Sequence, residues 1–354
     1  MKIGILTFHW ATNYGAVLQA YALQTYLESI GHEVSIINYK PKGFDNNIKN
    51  YILGRKFLKH QEYTNALKKE NAIVPFRERF LYTTKRIYSC SEIESVSVDF
   101  DVIISGSDQV LNPSFLMNGD GRRKTTPSYF LGFKFDGIRV GYAVSFGVVE
   151  YPQAEAKIAK FFIQKFAHIG VRENTGIEIL KLMDRQDAVV VPDPTILLSK
   201  QKYVELSEFC SNQKSFDLYC FFIRHIAERK AALLSQLPNA HNALWNNDDG
   251  IYSIEGWLSK IRNTKFVITD SFHCMVMCLK FHTPFAVVTE LEGNVGMNDR
   301  LYTLLNIVGL SDRVVYKGDI QKIMMLYASI PDWDYIDAKL DSYKSIGEVF
   351  LYQI

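Results

Sequence analysis

The chain has 354 residues, 47% of them hydrophobic, and 40 basic against 38 acidic side chains give a net charge of +2. That length and apolar content suit two domains with large buried cores, and the near balance of charge excludes the overall basic footprint of a nucleic-acid-binding protein. Five cysteines (Cys90, Cys210, Cys220, Cys274, Cys278) are odd in number and lack CxxC spacing, which argues against a disulfide framework or a zinc site and points to a reducing cytoplasm. The opening MKIGILTFHWATNYG turns polar too early for a signal-peptide core, and no apolar run approaches the roughly 18 residues of a membrane span.

In chain order, KIGILTF is a short apolar strand, HWATNYG a loop, and Ala16, Ala20, Leu23, Leu27 and Ile30 fall at helical spacing up to a stop at Gly31. HEVSIINY reads as a second strand, so the chain opens with a βαβ unit and a parallel sheet. DVIIS (101–105), RVGYAVS (139–145), HIGVR (168–172) and AVVVP (188–192) are further buried strands, each followed by a polar or Gly-containing turn. The Asp193-Pro194 break near TILLSK closes a first domain, 1–198. A second alternation begins with FDLYCFFI (216–223), continues through a helix from Arg229 to Leu237, HNALW (241–245), the helix IEGWLSKIR and the strand KFVIT, and reaches FAVV after a polar junction. It makes a second α/β domain, 199–354, whose last amphipathic segment, 336–352, packs back on the first domain by analogy with C-terminal helices in such folds. Two Rossmann-like α/β domains facing across a cleft resemble the GT-B architecture, with ligands outside the carboxyl ends of the strands.

The first domain contains a basic helical insertion at about 45–90. Between Lys49 and Arg86 it holds ten basic residues against three acidic ones, an excess of +7, with interleaved Tyr51, Phe57, Phe76 and Phe80. Such a segment suits either an anionic membrane surface or pyrophosphate, or a solvated helix face covering the domain.

Polar groups recur where strands end. Asn13, Tyr14 and Gly15 follow the first strand; Ser107, Asp108, Gln109 and Asn112 follow DVIIS; HIGVR ends in Arg172, Glu173 and Asn174; Arg224 and His225 follow the first strand of the second domain; and Thr269, Asp270, Ser271 and His273 follow KFVI. By the strand-end rule these groups converge on one cleft. Gly15 and Gly106 read as tight turn residues, since neither GxGxxG nor GxxxxGK[ST] occurs.

The segments NYGAVLQAYALQTYLESIGHEVSIINY, SGSDQVLNP, YAVSFG, VREN, VPDPTILLS, TDSFHCMVMCLKFHTPFAVV and DRLYTLLNIVGLSDR, in this order, resemble the polysaccharide pyruvyl transferase family. The resemblance implies transfer of a pyruvyl group from phosphoenolpyruvate to two hydroxyls of a sugar in a cell-surface polysaccharide precursor, exopolysaccharide or capsular, forming a cyclic ketal and releasing phosphate. It implies a lipid-linked oligosaccharide acceptor, no nucleic acid, and work in the cytoplasm or at the inner face of the plasma membrane. The chemistry agrees with the residue types. A donor carrying a carboxylate and a phosphate needs guanidinium or imidazolium groups and helix N-termini, and addition to the enol needs a base for the hydroxyl and an acid at C3. Neither a metal nor a redox cofactor is required.

On this reading Ser271 or Asp270 caps a helix beginning near Phe272, placing His273 in its first turn as donor ligand or acid, with a capping or core histidine as the bland alternative. In the family the corresponding histidine belongs to the donor site and often follows an arginine two positions earlier; here that position is Ser271. Arg172, Arg224 or Arg300 then supplies the missing cation. Asp108, in a Gly-Ser-Asp turn, is the base for the acceptor or else an Asx-turn residue. Asn13 and Tyr14 hydrogen-bond sugar hydroxyls, with a stacking face on Tyr14, or Asn13 caps the helix. Cys274, Met275, Met277 and Cys278 are helix core. The rival readings are a nucleotide-sugar glycosyltransferase of the same shape, with Glu290 or Glu292 on the ribose, and a non-catalytic glycan-binding protein.

Overall fold

The computed structural model describes residues 1–41, 60–118, 127–210, 215–224, 229–230, 233, 236, 243–246, 250, 252–290 and 298–354, with the backbone alone at 60–63 and 117–118. The chain divides into two compact units, residues 1–197 with 346–354, and residues 198–345.

Unit 1 is built on a parallel sheet of β1 (Lys2–Leu6), β2 (Glu33–Ile36), β3 (Val102–Asp108), β4 (Ile138–Val144), β5 (His168–Val171) and β6 (Val189–Val190), in the order β2-β1-β3-β4-β5-β6. The central strands are buried along nearly their whole length, which is why they read as continuous apolar runs rather than alternating ones. The helix Tyr14–Ser29 crosses from β1 to β2. Asn13 caps it, its side-chain oxygen accepting from the amides of Gly15 at 2.9 Å and Ala16 at 3.3 Å, and the chain leaves it through Gly31 at φ 93°.

β3 runs three residues beyond the expected DVIIS, so Gly106, Ser107 and Asp108 are strand and not a turn. Pairing with β4 continues to Asp108 opposite Val144. Glycine is required within that extension, since a Cβ on Gly106 would lie 2.8 Å from the carbonyl oxygen of Tyr142.

The helix His60–Phe80 occupies the described part of the basic segment. Its Ile73 and Phe76 are buried, and Phe76 and Phe80 meet the ring of Tyr21 at centroid distances of 5.6 and 5.8 Å. Beyond it, Thr83 and Ile87 make parallel bridges to Ile36 and Tyr39. The described stretch is therefore the crossover from β2 to a marginal edge strand, and its apolar residues are spent on the unit's own first helix. Lys49, Arg55, Lys56 and Lys59, with Tyr51 and Phe57, lie outside the described residues.

Unit 2 is a second parallel sheet of β7 (Phe216–Phe221), β8 (Ala243–Trp245), β9 (Thr264–Thr269), β10 (Phe285–Thr289) and β11 (Val314–Tyr316), in the order β11-β10-β9-β7-β8. Its core gathers Leu218, Cys220, Phe266, Ile268, Ala286, Val288 and Val315. The helix Phe272–Phe281 between β9 and β10 is buried almost all round, with Cys274, Met275, Met277 and Cys278 in its interior. β11 was not expected from the sequence.

The last helix, Trp333–Leu351, starts in unit 2 and ends in unit 1. At Gly347 a Cβ would lie 2.5 Å from the Tyr142 hydroxyl and 2.6 Å from Cγ of Pro192. Gly→Ala within a helix ordinarily stabilises by about 1 kcal/mol, whereas forcing a methyl into filled space costs about 1–3 kcal/mol. Gly347→Ala should therefore lower the urea midpoint; a raised midpoint would show that the helix end is not packed at this point.

Candidate functional site

In unit 1 the carboxyl ends of β3, β4 and β5 surround a buried guanidinium. Arg172, 1% exposed, follows β5 and donates to Oδ2 of Asp193 at 3.0 Å. Its other nitrogens lie 3.6 Å from Oδ1 of Asp108 and 3.6 Å from Oε2 of Glu173. Burial works against the charge, but Asp193, Asp108 and Glu173 outweigh it and raise the guanidinium above its ordinary value. Asp193 is bound further by Ser107, whose hydroxyl donates at 2.9 Å, and by the amide and hydroxyl of Thr195. Thr7, at the end of β1, donates to the Ser107 carbonyl and accepts from Gln19 at 2.8 Å, fastening the neighbouring strand ends together.

The three carboxylates differ in access. Asp193 is fully buried, Glu173 is 7% exposed and Asp108 is 18% exposed, so Asp108 is the one that solvent or a ligand reaches. Asp108 also adopts φ 70°, with its carboxylate accepting from the Gln109 amide at 3.0 Å, and beside it Ala143 adopts φ 50° where the β4–β5 register shifts. Two non-glycine residues in the left-handed region at adjacent strand ends mark a locally strained edge, the kind of place where function is found.

The structure brings Ser107, Asp108, Arg172 and Glu173 into one cluster and adds Asp193, which the sequence reading did not assign to a site. The signal for Asp193 was the VPDP break itself, a carboxylate too buried to be only a turn residue. Ser107 and Arg172 are engaged within the protein. Gln109 packs against Gly147. Asn112 turns back on its own segment, accepting from the amide and hydroxyl of Ser114 at 3.0 and 2.6 Å. Asn13 is the helix cap, Gly15 is buried in the first turn, and Tyr14 is buried with the Lys69 ammonium 5.3 Å from its ring centroid, so its ring presents no open stacking face. Burial pushes the Tyr14 hydroxyl up.

In unit 2 the polar junction after β9 divides its labour. Thr269 donates to the Phe221 carbonyl and accepts from the Ser271 amide. Asp270 does not cap the helix: its two oxygens accept from the amides of Ile223 and Arg224, holding the chain that leaves β7, and Oδ2 also takes Arg229 at 2.7 Å. Ser271 is the N-cap, accepting from the Cys274 amide at 3.4 Å. His273 lies in the first turn, 7% exposed, its ring edge-on to Phe272 at 5.3 Å. The Arg300 guanidinium, from the first turn of the helix Asp299–Ile307, stands 5.8 Å from the centroid of that same Phe272 ring. Ser271, His273 and Arg300 thus meet around Phe272. Arg224 is exposed where the chain leaves β7. Glu290 takes a fork of hydrogen bonds from Arg229, a residue that sequence reasoning passed over because its partners lie 41 and 61 positions away. Glu292 and His225 lie outside the described residues.

Among the described residues no group of three or more His, Cys, Asp or Glu side chains is arranged to hold a metal ion, and no helix is long and apolar enough to cross a membrane.

A family model described as polysaccharide pyruvyl transferase matches residues 13–290. No curated protein sequence matches the chain. Among solved structures, UDP-N-acetylglucosamine 2-epimerase from Rickettsia bellii aligns over 99% of this chain and 95% of its own, at 6% identity and a TM-score of 0.56. The putative UDP-N-acetylglucosamine 2-epimerase from Listeria monocytogenes aligns over 95% and 90%, at 9% identity and a TM-score of 0.51. The UDP-GlcNAc 2-epimerase from Neisseria meningitidis bound to UDP-GlcNAc aligns over the whole of both chains, at 9% identity and a TM-score of 0.50. At such identities the likeness concerns the fold, which is GT-B-like with two parallel-sheet α/β domains.

Removing one partner of a buried ion pair costs about 3–5 kcal/mol, whereas a partly exposed contact at 3.6 Å is worth under about 1 kcal/mol. Asp193→Asn should therefore lower stability to urea far more than Asp108→Asn, in which asparagine also tolerates the positive φ. Equal losses would mean that Asp108 is a structural member of the cluster.

Proposed function

The chain belongs to the polysaccharide pyruvyl transferase family, and on that premise we propose that it transfers a pyruvyl group from phosphoenolpyruvate to two hydroxyls of one sugar in a cell-surface polysaccharide precursor. The observation that carries this reading is the basic turn at Phe272: an imidazole in the first turn of a ten-residue buried helix, with a guanidinium over the same aromatic ring. Helix N-termini and guanidinium groups are the tools for a ligand that is both carboxylate and phosphate. Arg300 is the cation that takes over from the arginine that relatives often carry where this chain has Ser271. Arg172 is matched by three carboxylates of its own, and Arg224 lies at the exit from β7.

In the reaction, Asp108 accepts the proton of the first sugar hydroxyl as its oxygen bonds to C2 of the enol, while an acid, His273, protonates C3 to give the methyl group. The C2–O bond to phosphate then breaks as the departing oxygen takes the proton held by Asp108, with Arg300 holding the hydrogen phosphate dianion, and the second hydroxyl bonds to C2 and gives its proton to His273, which closes the ketal and restores both groups. Phosphoenolpyruvate is a co-substrate, and no cofactor enters. The acceptor is lipid-linked on this reading, and the work is cytoplasmic. The nucleotide-sugar alternative gains nothing from Glu290, whose carboxylate is taken by Arg229.

Calorimetric titration of phosphoenolpyruvate, together with phosphate release in the presence of acceptor, tests the assignment. His273→Ala and Arg300→Gln should each weaken donor binding by roughly ten- to hundredfold, the worth of a charge-assisted hydrogen bond of about 1.5–3 kcal/mol. Asp108→Asn should leave donor binding nearly unchanged and slow turnover by roughly 10²–10⁴-fold. Donor binding at the unmodified level in both unit 2 variants would sink the site. Stabilisation by nucleoside diphosphates but not by phosphoenolpyruvate would favour a glycosyltransferase.

A further inference from the structure

Arg229 lies across the carboxyl ends of three neighbouring strands of unit 2. Its Nη1 donates to Oδ2 of Asp270, which follows β9, at 2.7 Å. Its Nε and Nη2 donate to Oε1 of Glu290, which follows β10, at 3.1 and 2.5 Å. Its guanidinium stands 4.9 Å from the ring centroid of Phe222, the buried residue after β7. These strands are adjacent in the sheet, in the order β10-β9-β7, and ligands of open α/β sheets sit outside such strand ends.

The two carboxylate partners differ in kind. Asp270 is 8% exposed and fixed by the backbone, its oxygens accepting from the amides of Ile223 and Arg224 as well. Glu290 is 46% exposed, and among the described residues its hydrogen bonds come from Arg229, both ending on the same oxygen. Lys317 acts on its charge besides. The Nε–Nη2 edge of a guanidinium is a two-donor fork whose match is two oxygens of one anion. Glu290 gives that edge one oxygen, from a side chain nearly half in water, and an ion pair with so exposed a partner contributes little. A ligand phosphate or carboxylate would fill both positions. The Asp270 contact does not depend on that edge: it uses Nη1 and holds the guanidinium in place while the edge changes partner.

Resting on the pyruvyl-transfer reading, we propose that Arg229 is a further donor-binding residue, and that Glu290 occupies its Nε–Nη2 edge in place of the phosphate of phosphoenolpyruvate until the donor arrives. Binding exchanges one ion pair for another: Glu290 turns out to solvent, two phosphate oxygens take the edge, and Asp270 keeps Nη1. Asp270 immediately precedes Ser271, the cap of the helix that carries His273, so the exchange takes place beside the first turn assigned to the donor. Glu290 thereby sets a threshold that a phosphate dianion passes more readily than a single carboxylate.

Calorimetric titration of phosphoenolpyruvate and of inorganic phosphate into the full chain and its variants tests the exchange. Glu290→Gln should tighten both anions by roughly two- to fivefold, the size of a surface pair that the ligand no longer has to displace. Glu290→Asp, which keeps the charge but withdraws the carboxylate by one methylene, should tighten them as well. Arg229→Gln should weaken both by roughly ten- to hundredfold. If Arg229→Gln does not fold, because Asp270 is left without its cation, the two substitutions at the exposed Glu290 still decide. Unchanged affinity in Glu290→Gln would overturn the proposal. Tightening in Glu290→Gln but not in Glu290→Asp would overturn it too, since Glu290 would then act by repulsion at a distance and not by holding Arg229. Phosphoenolpyruvate that binds none of these proteins, while phosphate binds and follows the expected pattern, would uphold the exchange at Arg229 and count against the pyruvyl-transfer reading instead.

Discussion

A guanidinium with 1% exposure must be matched by carboxylates inside the protein or leave the interior, and in this chain Arg172 is matched by three. That requirement organises the edge of the first sheet. Asp193 can lie fully buried because Arg172, Ser107 and the Thr195 amide and hydroxyl use its oxygens. Ser107 is delivered to it because β3 runs on past its apolar core, and β3 can do so because Gly106 lets the Tyr142 carbonyl approach. Asp108 is the last member of this chain of dependence. Its backbone is held in the left-handed region by pairing to β4, and its carboxylate is left at the accessible margin of a field set by Arg172. A base for a sugar hydroxyl needs that combination of fixed direction and partial exposure.

The second unit solves a different problem. Four polar side chains after β9 exceed what a helix cap needs, and three of them build the junction: Thr269 ties it to β7, Asp270 clamps the outgoing chain of β7, and Ser271 caps. The fourth, His273, shares the Phe272 ring with Arg300, a residue 27 positions on in sequence. Asp270 serves the backbone of β7 and Arg229 rather than the cap, and the first turn carries the positive end of the helix dipole. The neutralising pair Arg229–Glu290 stands on the other side of Asp270, so cation and anion are sorted within a few residues of one another.

Legibility in the sequence followed the range of the interactions. The first βαβ unit was readable because its signals are local: an apolar run, a capping asparagine, a helical period and a glycine at φ 93°. The two-unit division and the parallel sheets were readable because strands buried on both faces leave continuous apolar segments. AVVVP overstated β6, which pairs through only two residues. β11, three residues long, carries too little pattern to be seen. GSD looks like a turn in any local reading, and only its pairing to β4 makes it strand. His273 and Asp108 are candidates from strand-end position and family pattern, both local signals. The Arg172–Asp193 pair, 21 positions apart, and the Arg229 fork to Asp270 and Glu290 required the fold.

The basic stretch before Arg86 shows most clearly how topology reassigns charge. Read along the chain, ten basic residues among aromatics suggest a surface that seeks anions outside the protein. In the fold, the described half of that stretch is a crossover helix and an edge segment beside β2, which extends the sheet outward on the far side of β1 from β3. A parallel sheet reverses its strand order between β1 and β3, and ligands gather outside the carboxyl ends near such a reversal. The crossover helix brings Arg77 to the loop after β1, and the edge segment brings Arg86 to the end of β2, so basic residues that look like a solvated face in one dimension become the wall of a concave, aromatic-backed cavity in three. The apolar residues Phe76 and Phe80 of the same helix meet Tyr21, and its Arg77 is paired with Glu70, so both kinds of side chain serve the unit's own structure. Interfacial helices need an apolar face for insertion, and in the described helix the aromatic residues that would form one are engaged with the ring of Tyr21.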